Sequence, residues 1–411
     1  MFPKLRFKEF DENWKEVTLK NCITSIDSGW SPQCESYPAN SSEWGVLKTT
    51  SVDWSGFNSS FNKKLPLELT PRKEIEVKPL DILVTRAGPT ERVGVVSVVP
   101  HSVRSKLMIS DKLIRLKSNE ENNPLFLGIS LSSVKCQNQL QSKTSGLAKS
   151  QTNISQKILG EVLLKLPSKE EQTKIASFLS AVDEKISQLT KKHELLSQYK
   201  QGMMQKLFSQ QLRFKADDGS EFGEWEDKPL NEIASKRSGK NKDGSISEVL
   251  TNSATQGIIK QSDYFEREIV TKSNLNGYYI VNLDDFVYNP RISVHAPVGP
   301  IKRNKKCLGV MSPLYTVFTV IQGNLKYLEY FFDSNFWHDY VKGVANSGAR
   351  HDRMNITNKD FFDMPILYPC LEEQTKIANF LSAIDQKIEV VAQQIEQAKT
   401  WKKGLLQQMF V

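Results

Sequence analysis

Cysteine is scarce in this chain and poorly placed for chemistry. The five are Cys22, Cys34, Cys136, Cys307 and Cys370, with no CxxC pair and no histidine at ligand spacing. That spacing argues against a disulfide framework and a zinc site, and makes reduced thiols in a cytoplasmic protein the expectation. Long apolar runs are also missing. No window approaches the ~18 uncharged apolar residues of a membrane span, and the charged opening MFPKLRFKEFDENW lacks the apolar core of a signal peptide.

Catalytic signatures are missing as well. The stretch Gly88-Pro89-Thr90-Glu91-Arg92-Val93-Gly94 has two glycines but no Gly-Lys-Ser/Thr, so it is not a phosphate-cradling loop, and no GxGxxG occurs. Asn289-Pro290-Arg291 lacks the second proline and stacking aromatic of an amino-methyltransferase element and reads as a strand-end turn. His101, His193, His295, His338 and His351 form no triad or metal pattern with their neighbours. The sequence therefore predicts no catalytic residue, no metal ligand and no cofactor held by this chain.

What is present is a repeat. Residues 166–208 recur as 368–410, LPSKEEQTKIASFLSAVDEKI against YPCLEEQTKIANFLSAIDQKI, at a constant offset of 202 without a gap. In the first copy Ile175, Leu179, Val182, Ile186, Leu189, Leu196, Met203 and Leu207 fall at 4-3 spacing, interrupted at His193 and Lys200. The second copy continues it through Ile377, Leu381, Ile384, Ile388, Val391, Ile395, Ala398, Leu405 and Met409, with Lys402 at the break. Apolar residues every 3.5 on average make the narrow seam of a coiled coil, and some 40 residues make a rod of roughly 60 Å. Neither rod can bury its stripe alone, which predicts that the two pair with each other. The alternative is that each packs only on its own globular domain. Ser168 with Glu171 predicts a capping box at the first helix start; Cys370 and Leu371 replace that cap in the second copy. Glu170-Glu171 and Glu372-Glu373 suit the positive end of a helix dipole.

The remaining segments repeat more loosely. Leu5-Arg6-Phe7-Lys8 with Trp14 recurs as Leu212-Arg213-Phe214-Lys215 with Trp225. Asp81-Ile82-Leu83-Val84 matches Asp285-Phe286-Val287-Tyr288, and Asn153-Ile154-Ser155 matches Asn355-Ile356-Thr357. The chain thus reads as a tandem duplication with four parts: a mixed domain over 1–165, a long helix over 166–208, a second mixed domain over 209–367 and a second long helix over 368–411. The fold class is α+β, two globes and two long helices forming an antiparallel coiled coil with an internal pseudo-two-fold. Short strands are expected around 93–99 and 113–116, and helices over 124–131 and around the aromatic cluster Tyr327, Tyr330, Phe331, Phe332, Phe336 and Trp337.

Like rods with unlike globes imply one mounting used twice for two different targets. A net charge of +8 and a pI near 9.0 suit a polyanionic partner, and the excess is concentrated in residues 1–165, with 23 cations against 17 anions. The polar loop residues that could read bases are Lys48, Thr49, Thr50, Arg86, Ser145, Lys149 and Gln151 in the first globe. In the second they are Thr251, Asn252, Gln256, Arg291, Arg350, His351 and Arg353. Arginine reads guanine edges, Asn and Gln read adenine, and lysine grips phosphate. Ordinary solvated loops are the competing account. Lys236-Arg237-Lys240-Lys242 and Lys302-Arg303-Lys305-Lys306 are further basic clusters that could hold a DNA backbone.

The element Pro167…Glu171-Gln172-Thr173-Lys174-Ile175-Ala176 and its copy Pro369…Glu373-Gln374-Thr375-Lys376-Ile377-Ala378, each opening a long helix behind a variable domain, resembles the specificity subunits of type I restriction-modification enzymes over essentially the whole chain. The resemblance implies two target-recognition domains on antiparallel helices, each reading one half of a bipartite site in double-stranded DNA, with the helices setting the spacer. It implies docking of two methyltransferase (modification) subunits on the repeated segments, through Glu171, Gln172, Ile175, Glu373, Gln374 and Ile377. Restriction/translocase subunits would complete the complex, and S-adenosylmethionine, ATP and magnesium would serve those partner subunits. The rival readings are a non-catalytic protein–protein scaffold and an enzyme acting on nucleic acid by itself.

Overall fold

A computed structural model describes residues 3–148, 151–264, 272–346 and 352–410. The chain divides into two compact units, residues 1–190 with 393–411, and residues 191–392. Both boundaries fall within the long helices, so each unit combines one globe with a stretch of either helix.

In the first unit a four-stranded antiparallel sheet has the order Ile23–Ser28, Leu113–Ser118, Ile82–Thr85, Val96–Val98. The central strand Ile82–Thr85 is buried throughout because both faces of the sheet are covered. Side chains alternate across a strand. Ile82 and Val84 therefore join one core with Phe126, Leu127 and Leu131 of helix Pro124–Leu131, while Leu83 joins another with Val46, Leu47, Leu107 and Ile109. Asn123 caps that helix by accepting from the amides of Leu125 and Phe126, with Pro124 at its first position.

The second unit repeats the plan with different residues. Its sheet runs Ala234–Lys236, Thr316–Val320, Phe286–Tyr288, Ile301–Arg303. Phe286 and Tyr288 face a core built on helix Leu325–Asp333, and Val287 faces Leu250, Ile258, Met311 and Val317. The aromatic cluster noted in the sequence is this helix and the residues after it, packed in that core. Even the strand entry is copied: Asp81 Oδ2 accepts from the Lys78 amide and Asp285 Oδ2 from the Asn282 amide, each at 2.8 Å.

In each globe a strand near the start pairs with the strand that leads into a long helix. Lys15–Thr18 pairs antiparallel with Leu163–Leu166, and Glu226–Pro229 with Pro365–Tyr368. The helices follow at once, Lys169–Phe208 and Leu371–Met409. Ser168 accepts from the Glu171 amide at 3.4 Å and caps the first helix. The return half of the capping box is missing, because Glu171 is engaged elsewhere.

Within the first unit the start of one long helix lies beside the end of the other, antiparallel. Ile175, Leu179 and Val182 share a core with Leu405 and Met409, Phe178 meets Trp401 edge-on at 5.9 Å, and Phe410 stacks on Phe126 at 5.3 Å. Within the second unit Met204, Leu207 and Phe208 share a core with Ile377, Leu381 and Ile384. The two lysine interruptions in the stripe have a physical reason. Lys402 lies 2.5 Å from Asp183, and Lys200 lies 2.6 Å from Asp385, the same pair at the 202-residue offset. The amide of Leu5 donates to the carbonyl of Gln408 near the end of one helix, as that of Leu212 does to Lys206 in the other unit.

Helix locks and the candidate nucleic-acid interface

The Glu-Gln pair opening each helix is not a docking surface. Glu171, Gln172, Ile175, Glu373, Gln374 and Ile377 are all buried within their own units. Arg6 donates through Nε and Nη2 to the two carboxylate oxygens of Glu171, at 2.7 Å each, and Trp14 Nε1 adds a third donor at 3.3 Å. In the second unit Arg213 reaches Glu373 at 3.1 and 2.7 Å, and Trp225 Nε1 donates at 2.9 Å. Each glutamine bridges helix and globe: Gln172 accepts from the Asn123 amide at 3.0 Å and Gln374 from the Asn324 amide at 2.8 Å. Their amide groups donate to the carbonyls of Pro167 and Pro369. Ile175 and Ile377 are core residues. The expectation that these six side chains meet a partner subunit is therefore corrected: they fasten each globe to the start of its helix.

The physical chemistry of the lock explains its composition. A carboxylate in an apolar interior needs donors for both oxygens, and the planar guanidinium supplies two at the right spacing. The bond to Glu171 raises the Arg6 guanidinium above its usual range, and Glu373 does the same for Arg213. Glu170 and Glu372 remain exposed in the first helical turn, where the dipole argument holds.

Several of the segments that hold the loop residues picked as base readers are bound to one another. In the first unit Arg92, overlooked in the sequence, ties its own loop to the 49–53 segment. Its Nη1 lies 2.5 Å from Asp53, and Nη2 donates to the carbonyls of Val52 at 2.7 Å and Thr49 at 3.3 Å. This bond, more than any other influence, holds the Asp53 carboxyl below the usual carboxylate range. The 86–95 loop is bound on its other side to strand Gln151–Asn153, through the pairs Thr152 with Gly88 and Asn153 with Ala87. The amide of Ile154 donates to the Arg86 carbonyl at 3.0 Å. Lys48, Thr49 and Arg86 are half-buried there, and Thr50 is exposed. Ser145 and Gln151 fall on strands Ser145–Ala148 and Gln151–Asn153; Lys149 lies outside the described residues.

The second unit gathers the corresponding segments. Arg291 and Arg353 form an antiparallel bridge, framed by Ile292 donating to the Asp352 carbonyl and Met354 to that of Pro290, both at 2.9 Å. Arg291 is exposed, Arg353 half-buried, and Gln256 exposed at the turn of hairpin Leu250–Ser253/Gly257–Lys260. Thr251 shares a hydrogen bond of 3.1 Å with the Tyr315 hydroxyl. Arg350 and His351 lie outside the described residues.

Two expectations fail here. Asn252 is buried and donates to the carbonyls of Val287 at 2.7 Å and Pro300 at 3.1 Å, so its amide braces the fold and does not read a base. The basic clusters are largely spent inside the unit. Arg237 pairs with buried Asp285 at 3.1 Å, Lys302 with Asp333 at 2.5 Å, Arg303 with Asp284 at 2.7 Å, and Lys305 with Glu329. The Asn289-Pro290-Arg291 element is the strand-end turn expected of it, with Asn289 Oδ1 accepting from the Arg291 amide at 3.1 Å.

A protein-family model described as "Type I restriction modification DNA specificity domain" matches residues 12–197 and again 223–400. The chain belongs to this family. A specificity-domain chain that is 27% identical over 425 residues, covering 98% of this chain and 94% of its own length, is the putative type I restriction enzyme MjaX specificity subunit of Methanocaldococcus jannaschii. The type I restriction enzyme EcoEI specificity subunit of Escherichia coli is 40% identical over 171 residues, 41% of this chain but only 29% of that one. Among solved structures, the type I restriction-modification S subunit from M. genitalium superposes with a TM-score of 0.57 at 15% identity, covering 100% and 99% of the two chains. A chain from work on complex assembly and conformational transition of the type I R-M system gives 0.55 at 16% identity, covering 97% of each. The family fold is thus shared over the full chain. Among the described residues no helix is long and apolar enough to cross a membrane.

Proposed function

We propose that this chain is the DNA-reading subunit of a type I restriction-modification complex, with each globe reading one half of a bipartite site. The observation that carries the reading is the doubled mounting. Two globes of the same sheet order, with different loop side chains, are each fastened to a near-identical helix start by the same Arg–Glu–Trp lock. A stiff helix repeated in this way fixes the distance between two readers. Phosphate contacts from lysine and arginine would position each globe, and a few loop side chains would supply the choice of sequence.

In this reading the chain contributes recognition and no bond-breaking step. It works in the cytoplasm beside two modification subunits, which use S-adenosylmethionine, and restriction subunits, which use ATP and magnesium. Docking of the modification subunits falls to exposed positions on the helices, since the Glu-Gln-Ile side chains are committed internally.

Methylome sequencing of a host with and without this chain tests the proposal directly. A split motif that appears only with the chain is the expected result. Inserting one heptad into both long helices should lengthen the spacer and leave both half-sites unchanged, whereas altered half-sites would refute the spacer role. Methyl transfer by the purified chain alone would refute the non-catalytic role.

A further inference from the structure

The 289–300 loop of the second unit joins the paired strands Phe286–Tyr288 and Ile301–Arg303 and is tied more firmly than a connection requires. The amide of Asn289 donates to the Pro300 carbonyl at 3.0 Å, and its side chain donates to the Asn252 carbonyl at 2.9 Å. Asn252 returns a bond to Pro300, and the Tyr288 hydroxyl donates to the Val298 carbonyl at 2.9 Å. Gly299 sits at φ +83°, and a Cβ there would fall 2.1 Å from the Asn289 carbonyl oxygen, so only glycine fits. On this base Ser293 and Ala296 exchange backbone hydrogen bonds of 3.0 and 3.1 Å, closing a tip of Val294 and His295.

Ala296 and Val298 are buried in that base, yet Val294 is 97% exposed. Burying an apolar side chain is favourable, and a braced loop that holds one in water forgoes that gain in the free chain. The neighbours say what could restore it. Arg291, three residues away, is exposed and bridged to Arg353, and exposed Gln256 stands on the hairpin braced by the same Asn252. An exposed cation three residues from an exposed apolar tip, on one braced loop, suits a polyanion with apolar groups on its edge. Arginine and side-chain amides are also the groups that read base edges in the major groove. In the DNA major groove the apolar group on the base edges is the thymine C5-methyl.

Resting on the DNA-reading function above, we propose that the 289–300 loop is a reading finger whose tip, Val294, packs on a thymine methyl group and so selects T·A at one position of one half-site. The equivalent 86–95 loop of the first unit carries exposed Pro89 and Glu91 instead, an acceptor suited to the cytosine amino group.

The test uses the full chain assembled with its modification subunits, on duplexes carrying the methylome-derived motif. The half-site read by the second globe is assigned by exchanging that globe. Each thymine in it is replaced by deoxyuridine, which removes only the methyl group. Wild type should lose affinity at a single position by about fourfold, the worth of one buried methyl. Val294→Ala should bind the unmodified duplex about fourfold more weakly and be indifferent to uracil there, while melting like wild type because the side chain touches nothing. Indifference of wild type to uracil throughout that half-site would overturn the inference, as would equal sensitivity in Val294→Ala. Failure of the underlying function reads differently, as no motif-specific duplex binding by wild type at all.

Discussion

Arg213 grips both carboxylate oxygens of Glu373, whose side chain has 0% exposure at the first turn of a long helix. Arg6 grips Glu171 in the same way in the other unit. A charge in that position is tolerable only while its partner is present, so the lock couples the orientation of each helix to the integrity of its globe.

Arg213→Ala should therefore destabilise the second unit by about 3 kcal/mol, near the low end for breaking a buried pair because the guanidinium is partly exposed. Trp225→Phe removes one hydrogen bond to a buried carboxylate and should cost about 2 kcal/mol. Glu372→Gln, on the exposed neighbour, should change stability by less than about 0.5 kcal/mol. Urea unfolding of the three variants checks the order.

The ion pairs at the interrupted seam are more exposed and should matter less. Lys402 and Asp183 retain side-chain exposures of 29% and 53%, so a double-mutant cycle should give a coupling of about 0.2–1 kcal/mol. Asp183→Lys with Lys402→Glu should recover most of the loss of either single change. A coupling above ~2 kcal/mol would mean that the pair is far better shielded than its exposure indicates.

The end of the second long helix is part of the first globe's core. Met409→Ala should cost roughly 2–5 kcal/mol, the range for truncating a buried methionine or leucine. Deleting residues 401–411 should leave the first globe open to limited proteolysis. Resistance of that globe in the truncated chain would contradict the shared core.

Within the basic residues, charge alone is a poor guide to DNA contact. Arg291→Ala, at an exposed bridge position, should weaken motif binding by roughly tenfold and relax one base-pair position. Lys302→Ala, already paired with Asp333, should change it less than about twofold. Equilibrium binding at one stated salt concentration separates them.

Asp53 sets the pH expectation for the first globe. Its carboxyl is held below the usual range by Arg92, so the tie is complete above the unfolded carboxylate value and is lost only as pH falls through the lower folded value. Recognition of the first half-site should show no loss from this tie between about pH 8 and about pH 5, well above the ordinary carboxylate range. Asp53→Asn should relax that half-site across the whole interval and leave the other half intact.

Much of the fold was legible because two kinds of pattern are local. The 4-3 stripe and the gapless 202-residue copy exposed the helices, and the Pro124–Leu131 helix showed its proline and apolar run. The weakly matching landmarks of the globes, Arg6 with Trp14 and Arg213 with Trp225, were visible as repeats but not as partners of Glu171 and Glu373. Nothing along the chain says that residues about 160 apart meet. Asn252 misled for a related reason: an amide is as good a brace for carbonyls as a reader of adenine, and only burial distinguishes the two. Arg92 and Val294 carried no signal, since one looks like any loop arginine and the other like any valine.

The sequence by itself determined the duplication, the two long helices and the likeness of their starts, because helix periodicity and repetition are written in neighbouring residues. Tertiary structure alone decided which charges are spent and which are offered. It turned a proposed docking motif into an internal lock and left Arg291 and Val294 at a surface, because burial depends on what the distant chain places alongside.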